Sequence, residues 1–234
     1  RGTKVTKHER NSMKVSEAVL SRHSIRAFSP EPVAEASVRR ILDVARYAAS
    51  NTNCQPWHLY VTMGAARQRV STAILEAIRA GEPAAAEYRI HGHPNPEPYR
   101  GRQVTLGKTL YGMLGIAKGD AEGMKRQSQR NFLFFDAPVG MILTMDRRHG
   151  EGQWIDCGSF LASIMLVARE EGLHTCPQAA FAHYHKVLRR ELGIPDNEIV
   201  LCGIALGHAD LSVMPNTLRS ERAPLEEWVK WFGE

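Results

Sequence analysis

Along the chain, hydrophobic positions alternate between the 3.6-residue spacing of a helix and the short alternating or continuous apolar runs of strands. Val15, Ala18 and Val19 share one helical face, which stops near residues 21–24. Val38, Ile41, Leu42, Ala45, Ala48 and Ala49 mark a second amphipathic helix, ending at Ser50-Asn51-Thr52-Asn53, residue types that cap helices and accept unusual backbone angles. Trp57 to Met63 reads as a strand, Ala65 to Gly81 and Ala121 to Asn131 as helices, and Ala137 to Thr144 as a buried strand. Trp154 to Glu171 is an almost wholly apolar helix, which must be covered on most sides; a subunit interface does this most simply, so the pattern predicts a homodimer. Residues 172–181 then read as a short strand and turn, His183 to Leu192 as a helix and Ile199 to Leu206 as a strand. The tail from Asn216 ends in an amphipathic stretch with Trp228, Val229, Trp231 and Phe232, expected to dock on the partner subunit.

Two stretches fall outside this rhythm. Residues 1–12 are polar, basic and aperiodic, and read as a tag or extension before the domain expected over 13–234. Residues 90–102 are dense in proline and glycine, which predicts an irregular loop; such loops in compact domains are more often functional than idle.

Composition changes this picture little. The 234 residues are 43% hydrophobic and 24% charged, the profile of a globular protein. No apolar run approaches the roughly 20 residues of a membrane-spanning helix, and the N-terminal stretch is polar, so the expectation is a cytoplasmic protein with no membrane partner. The net charge of +5 is spread among acidic residues without a basic block, which argues against a nucleic-acid partner. Cys54, Cys157, Cys176 and Cys202 make no CxxC pair, so a metal site is not expected and the thiols should be reduced and mostly buried.

Candidate chemistry concentrates in Ser21-Arg22-His23-Ser24-Ile25-Arg26-Ala27-Phe28 and in Arg219 and Arg222 near the other end. With Arg22 and Arg26 one helical turn apart and Ser24 between them, the four arginines read as part of an anion cradle, since guanidinium groups bind phosphate bidentately. A second stretch, Ser50-Asn51-Thr52-Asn53-Cys54-Gln55-Pro56-Trp57, sets short amides and hydroxyls after a helix, a donor set suited to a ring with carbonyls and ring nitrogens.

Taken with the tail motif Arg222-Ala223-Pro224-Leu225, these stretches resemble the FMN-dependent nitroreductase family from about Val15 onward. The resemblance implies an α+β nitroreductase-like fold with a central, mostly antiparallel sheet flanked by helices, in an intertwined homodimer with FMN at the subunit interface. It implies that Arg22, Ser24, Arg219 and Arg222 hold the flavin phosphate, that His23 belongs to the same cofactor-binding set, and that Arg26 faces flavin N1 and O2, with Asn131 as a neighbouring amide. Ser50, Asn51, Asn53 and Gln55 would approach the same flavin from the other subunit, and Pro177, Gln178 and Ala179 would line one flavin edge near N5. Some relatives carry an acidic residue near Ala179, which this chain lacks. A Pro-x-Pro-Tyr-Arg segment followed by Leu110 to Ile116 makes residues 90–116 a lid-like segment, with Tyr99, Arg100, Tyr111 and Leu114 at the substrate pocket.

No dinucleotide fingerprint, P-loop, HExxH or GxSxG motif is present, so a nicotinamide donor would bind only transiently. Catalytic side chains are not expected, because a flavin carries the redox chemistry while the protein supplies position and electrostatics. The implied reaction is ping-pong: NAD(P)H reduces FMN and leaves, then a small aromatic acceptor, a nitroaromatic compound or a quinone, takes its place. Reductive dehalogenation, ene reduction or flavin fragmentation on the same fold, and a flavin-binding protein without catalysis, remain open alternatives at this stage.

Overall fold

The computed structural model describes residues 13–92 and 94–233, so the extension expected over residues 1–12 lies outside the described residues. Four strands form one sheet in the order β1-β2-β4-β3: β1 is Trp57–Met63, β2 Val139–Asp146, β3 His174–Gln178 and β4 Glu198–Gly207. All three pairings are antiparallel. Among the described residues seven α-helices flank it: α1 Val15–Ser21, α2 Glu35–Ala45, α3 Gly64–Arg79, α4 Tyr99–Met113, α5 Ala121–Gln129, α6 Gly152–Glu170 and α7 His185–Leu192.

The two central strands, β2 and β4, are buried along their whole length because helices cover both sheet faces. Alternation along β2 sends Val139, Met141, Leu143 and Met145 into a core shared with α2 and α6, and Ile142 into a second core with α3, α7 and the Phe132 to Phe135 segment. In that second core two strand residues must lack a side chain. A Cβ on Gly203 would lie 2.3 Å from the Phe181 ring and one on Gly140 2.5 Å from Phe134, and those two rings stack with centroids 4.5 Å apart.

Three local expectations are corrected. α2 ends at Ala45 rather than running on through Ala49. Residues 99–102, expected to be irregular, open α4: the prolines at 94, 96 and 98 all precede its first turn, where they break no intrahelical hydrogen bond. The stretch from Arg22 to Arg26 is extended rather than helical, with consequences for the site.

The candidate cofactor site

Beyond α1 the backbone turns extended at Arg22 and runs beside the free edge of β3. Ser24 bridges Thr175 in parallel, the Ile25 N–H donates to the Thr175 carbonyl at 3.1 Å, and Phe28 bridges Ala209 on the far side. In extended backbone, alternate side chains share a side. Ile25 is therefore fully buried while Arg22, Ser24 and Arg26 stay partly exposed. The expected helical turn is replaced by an arrangement that still gathers these three side chains. All three act on Cys176 in β3, whose thiol burial pushes up to about 11 against the opposing influence of Arg26, Ser24 and Arg22.

Asn216, buried to 1% exposure, fixes this strand to the C-terminal tail. Its Oδ1 accepts from the Arg26 N–H at 2.7 Å, and its Nδ2 donates to the carbonyls of Ala27 and Asp210, both at 2.7 Å. Its own carbonyl lies 2.8 Å from His23 Nε2 and accepts from Arg219 at 3.2 Å. One asparagine thus sets the positions of Arg26, Arg219 and His23. No spacing in the sequence marked it, because every partner of its side chain except Asp210 lies about 190 positions away.

The tail closes over α1 and α6 to form a cavity of about 600 Å³ whose lining includes Leu20, Arg22, His23, Met165, Arg219 and Arg222. That volume falls within the roughly 300–1,000 Å³ of small-molecule sites. The guanidinium groups of Arg22, Arg26, Arg219 and Arg222 find no carboxylate partner among the described residues; those of Arg26, Arg219 and Arg222 touch only neighbouring backbone carbonyls and the Ser220 hydroxyl. Three of these cations, Arg22, Arg219 and Arg222, line the one cavity, a charge arrangement suited to an anion.

At the other end of the basic strand, Gln178 closes β3. Its Nε2 donates to the Asn131 carbonyl at 2.7 Å, whereas its Oε1 is buried with no hydrogen-bond partner. Asn131 turns its own amide to the Ser128 carbonyl at 3.0 Å. Pro177 and Ala179 flank Gln178 and are half-buried. Arg22, Ser24, Arg26, Asn131, Gln178, Arg219 and Arg222 are thereby brought to one region, around β3 and the chain segments laid on it.

The amide loop stands apart from them. Ser50 is half-buried and Asn51, Asn53 and Gln55 are exposed; among the described residues no hydrogen bond joins the loop to the arginine strand. It docks instead on the first turns of α6, where the Asn51 N–H donates to Asp156 Oδ1 at 3.1 Å, while the arginine cavity uses Met165 and Leu166, about 14 Å farther along that helix at 1.5 Å per residue. Thr52, Asn53 and Gln55 all have positive φ, a conformation non-glycine residues hold only when their surroundings impose it. Here the restraints are the Asp156 contact and the hydrogen bond from the Gln55 N–H to Ser50 Oγ at 3.1 Å.

The four expected substrate-pocket residues also divide. Tyr99 and Arg100 open α4 and Tyr111 and Leu114 close it, so the two pairs lie about 18 Å apart along its axis. Arg102 lies over the Tyr99 ring at 5.7 Å and pairs with Glu227 of the tail. Among the described residues no group of three or more His, Cys, Asp or Glu is placed to hold a metal ion.

The charge around the cavity marks His174 beneath it. Burial first, then Arg169, His23, His208 and Arg219, push its imidazole down to about 4. The folded protein thus keeps His174 neutral where an unfolded chain protonates it near 6.5, so its stabilising contribution is full above pH 6.5 and is lost as pH falls toward 4. Discounted for partial solvent screening, that loss is about 1–3 kcal/mol. Burial lowers His185 as well, which adds to the same window. The flavin-free His174→Asn variant is therefore expected to lose less melting temperature than wild type between pH 7.5 and 5. Equal losses would show that His174 does not titrate this way.

The family model described as "Nitroreductase family" matches residues 19–208. The chain is 42% identical over 221 residues to the chloronitrobenzene nitroreductase of Comamonas testosteroni, covering 94% of this chain and 97% of the relative. It is 37% identical over 215 residues to a 4-nitrobenzoate reductase of Pseudomonas putida, covering 92% and 94%. Among solved structures, the FMN and NADPH-dependent nitroreductase NfnB from Sphigopyxis sp. strain HMH superposes with a TM-score of 0.91 at 38% identity, covering 94% of this chain and all of that one.

Proposed function

We propose, for a chain that belongs to the nitroreductase family, that it is an FMN-dependent oxidoreductase drawing electrons from NAD(P)H to reduce nitroaromatic compounds. The observation that carries this reading is the set of four arginines without carboxylate partners, with a buried amide whose oxygen is unpartnered, among the described residues. The set fits a phosphorylated isoalloxazine: the arginines match a phosphate and a ring carbonyl, and Gln178 Oε1 matches a ring N–H. Relatives named for reduction of chloronitrobenzene and 4-nitrobenzoate, and a solved structure named as FMN and NADPH-dependent, support the same chemistry.

When bound, FMN would supply the redox chemistry, accepting hydride from NAD(P)H and passing it to the acceptor in separate half-reactions. Arg22, Ser24, Arg219 and Arg222 hold the phosphate, each charge-assisted contact contributing about 1.5–3 kcal/mol. Arg26, its backbone N–H fixed by Asn216, presents a positive charge to the N1–C2=O edge. Gln178, its Nε2 tied to Asn131, holds the ring N–H. Two rounds balance the reaction: a nitro group, NAD(P)H and a proton give nitroso, NAD(P)+ and water, and a second NAD(P)H and proton give the hydroxylamine. Quinones, which accept two electrons without losing oxygen, are further acceptors.

The active unit is a homodimer in which the loop carrying Ser50, Asn51, Asn53 and Gln55 meets the flavin held by the partner's arginines. Exposed apolar surface supports it. Helix α4 buries none of its residues within the chain, Leu20, Ile155, Trp231 and Phe232 are 77–92% exposed, and α6 buries Asp156 and the stripe through Cys157, Phe160, Ile164 and Ala168 while its other apolar residues stay partly or fully exposed. Four free cysteines, Cys54 among them exposed, support a reducing compartment such as the cytoplasm. Among the described residues no helix is long and apolar enough to cross a membrane. Incubation of the FMN-loaded protein with nitrobenzene and NADPH or NADH tests the reading: phenylhydroxylamine should form with consumption of two nicotinamides per nitro group. Unchanged nitrobenzene with both donors would refute it.

A further inference from the structure

Gln178 and Arg26, the two side chains assigned to the flavin ring, are both tied to one short segment, residues 130–136, which leads from α5 toward β2. The Asn131 carbonyl accepts from Gln178 Nε2 at 2.7 Å. The Phe135 carbonyl accepts at 3.0 Å from the N–H of Phe28, two residues beyond Arg26 on the basic strand. The carbonyl midway between them, that of Leu133, accepts from Arg67 Nη1 at 3.0 Å. Alternate carbonyls of one segment thus take hydrogen bonds from β3, α3 and the basic strand. Local preference does not hold this shape: Phe134, Phe135 and Asp136 take φ of 52°, 52° and 70°, which non-glycine residues keep only where their surroundings impose it. Burial of both phenylalanine rings supplies part of the restraint. The Arg130–Asp136 pair at 2.8 Å closes the segment on itself, but pairs exposed to solvent contribute little. Arg67 reaches in from another element. It is half-buried, and burial pushes its guanidinium below the usual range against the opposing charge of Asp136. As the fourth residue of α3 it lies near the positive end of that helix dipole, where a cation is unfavourable, so the helix itself gives no reason for an arginine there.

Resting on the reductase reading, we propose that Arg67 is a positioning residue for the flavin: by fixing the Leu133 carbonyl it keeps the anchors of Gln178 and Arg26 at a set separation, and with them the two ring edges these side chains meet. Arg67 is absent from the lining of the arginine cavity and acts through the segment alone. Its influence depends on the redox state of the ring. The placement of Arg26 matters most when the N1–C2=O edge carries negative charge, so a loosened segment weakens the hold on reduced flavin more than on oxidised flavin.

The test uses the full-length protein as wild type, Arg67→Met and Arg67→Lys. In the FMN-loaded protein, redox titration is expected to place the midpoint potential of Arg67→Met about 30 mV below that of wild type, which for a two-electron couple is about a tenfold loss of affinity for reduced over oxidised flavin. In the flavin-free protein, the Phe28 amide should exchange with solvent about tenfold faster, because its partner carbonyl is no longer held in place. Arg67→Lys, which keeps a cation and a donor on a shorter stem, should fall between the two in both measurements. A shifted potential without faster exchange would mean that the Arg67 charge acts through space, and a lower Tm with an unmoved potential would mean that it only supports the fold; either result overturns the proposal. Faster exchange in a protein that binds no FMN would uphold the role of Arg67 in the segment and refute the reductase reading instead.

Discussion

Arg222→Ala is expected to leave the purified protein nearly free of flavin, with the Kd for added FMN raised about 10- to 150-fold. That range corresponds to one lost charge-assisted hydrogen bond of about 1.5–3 kcal/mol. The effect should fall on the ligand rather than on the fold: Arg222 is exposed and bonds only Ser220 and the Glu221 carbonyl beside it, so its removal costs the empty protein about 0.5 kcal/mol or less. Arg26→Ala should show the opposite split. Arg26 is absent from the lining of the cavity shared by Arg22, Arg219 and Arg222, and its assigned partner is the ring edge where charge develops. FMN content should largely persist while turnover drops about 10²-fold, the order seen when a preorganised donor to developing negative charge is removed. Flavin content measured from absorbance, beside kcat, reads both. Loss of flavin in Arg26→Ala with retention in Arg222→Ala would reverse the roles assigned here.

Asn216→Leu should have the largest effect on the fold and, through it, on the site. It would strand the Arg26 N–H and the carbonyls of Ala27 and Asp210 in a setting where Asn216 is 1% exposed. Each unsatisfied buried group costs about 1–3 kcal/mol, so the expected loss is about 3–9 kcal/mol, a large share of a typical folding free energy. For a chain of this size that is a fall in Tm of about 10 °C or more. Asn216→Asp separates the two halves of the contact: Oδ1 still accepts from Arg26, but an oxygen replaces the donor facing two carbonyls. It should also be destabilised and bind FMN more weakly than wild type. Normal melting and normal FMN affinity in both variants would show that Asn216 is not the clamp described.

Most of the element pattern was legible because apolar periodicity reports which face of an element is covered. The continuous run from Val139 to Thr144 and the stretch Ile199 to Leu206 read as buried strands, and both run through the middle of the sheet. The errors lie where long-range contacts override local preference. Nothing local distinguishes a helical turn from an extended edge between Arg22 and Arg26; the decision is made by Thr175, about 150 positions away, to which Ser24 and Ile25 attach. Prolines read as breaking residues 90–102 instead mark where α4 begins.

The site was partly visible for a different reason. Arginines clustered with serine carry a chemical preference that survives without a fold, and resemblance to a known family supplied their order. Asn216 and Asp156 carried no such signal, since a single amide in a tail or a single carboxylate in an apolar helix acquires meaning only from what folds against it. Positive φ at Gln55 and from Phe134 to Asp136 was equally hidden, because none of these residues is glycine, whereas Thr52 and Asn53 lie in a stretch whose residue types accept unusual backbone angles.

The central claim, that the arginine cradle holds a flavin through which electrons pass from a nicotinamide to a nitroarene, is tested most directly by the visible spectrum of the purified protein under anaerobic conditions. The account predicts flavin bands that bleach on addition of NADPH or NADH and return, after the nicotinamide is removed, when a nitroarene alone is added. A protein that stays colourless after incubation with FMN, or a yellow one whose bands ignore both nicotinamides, would contradict it.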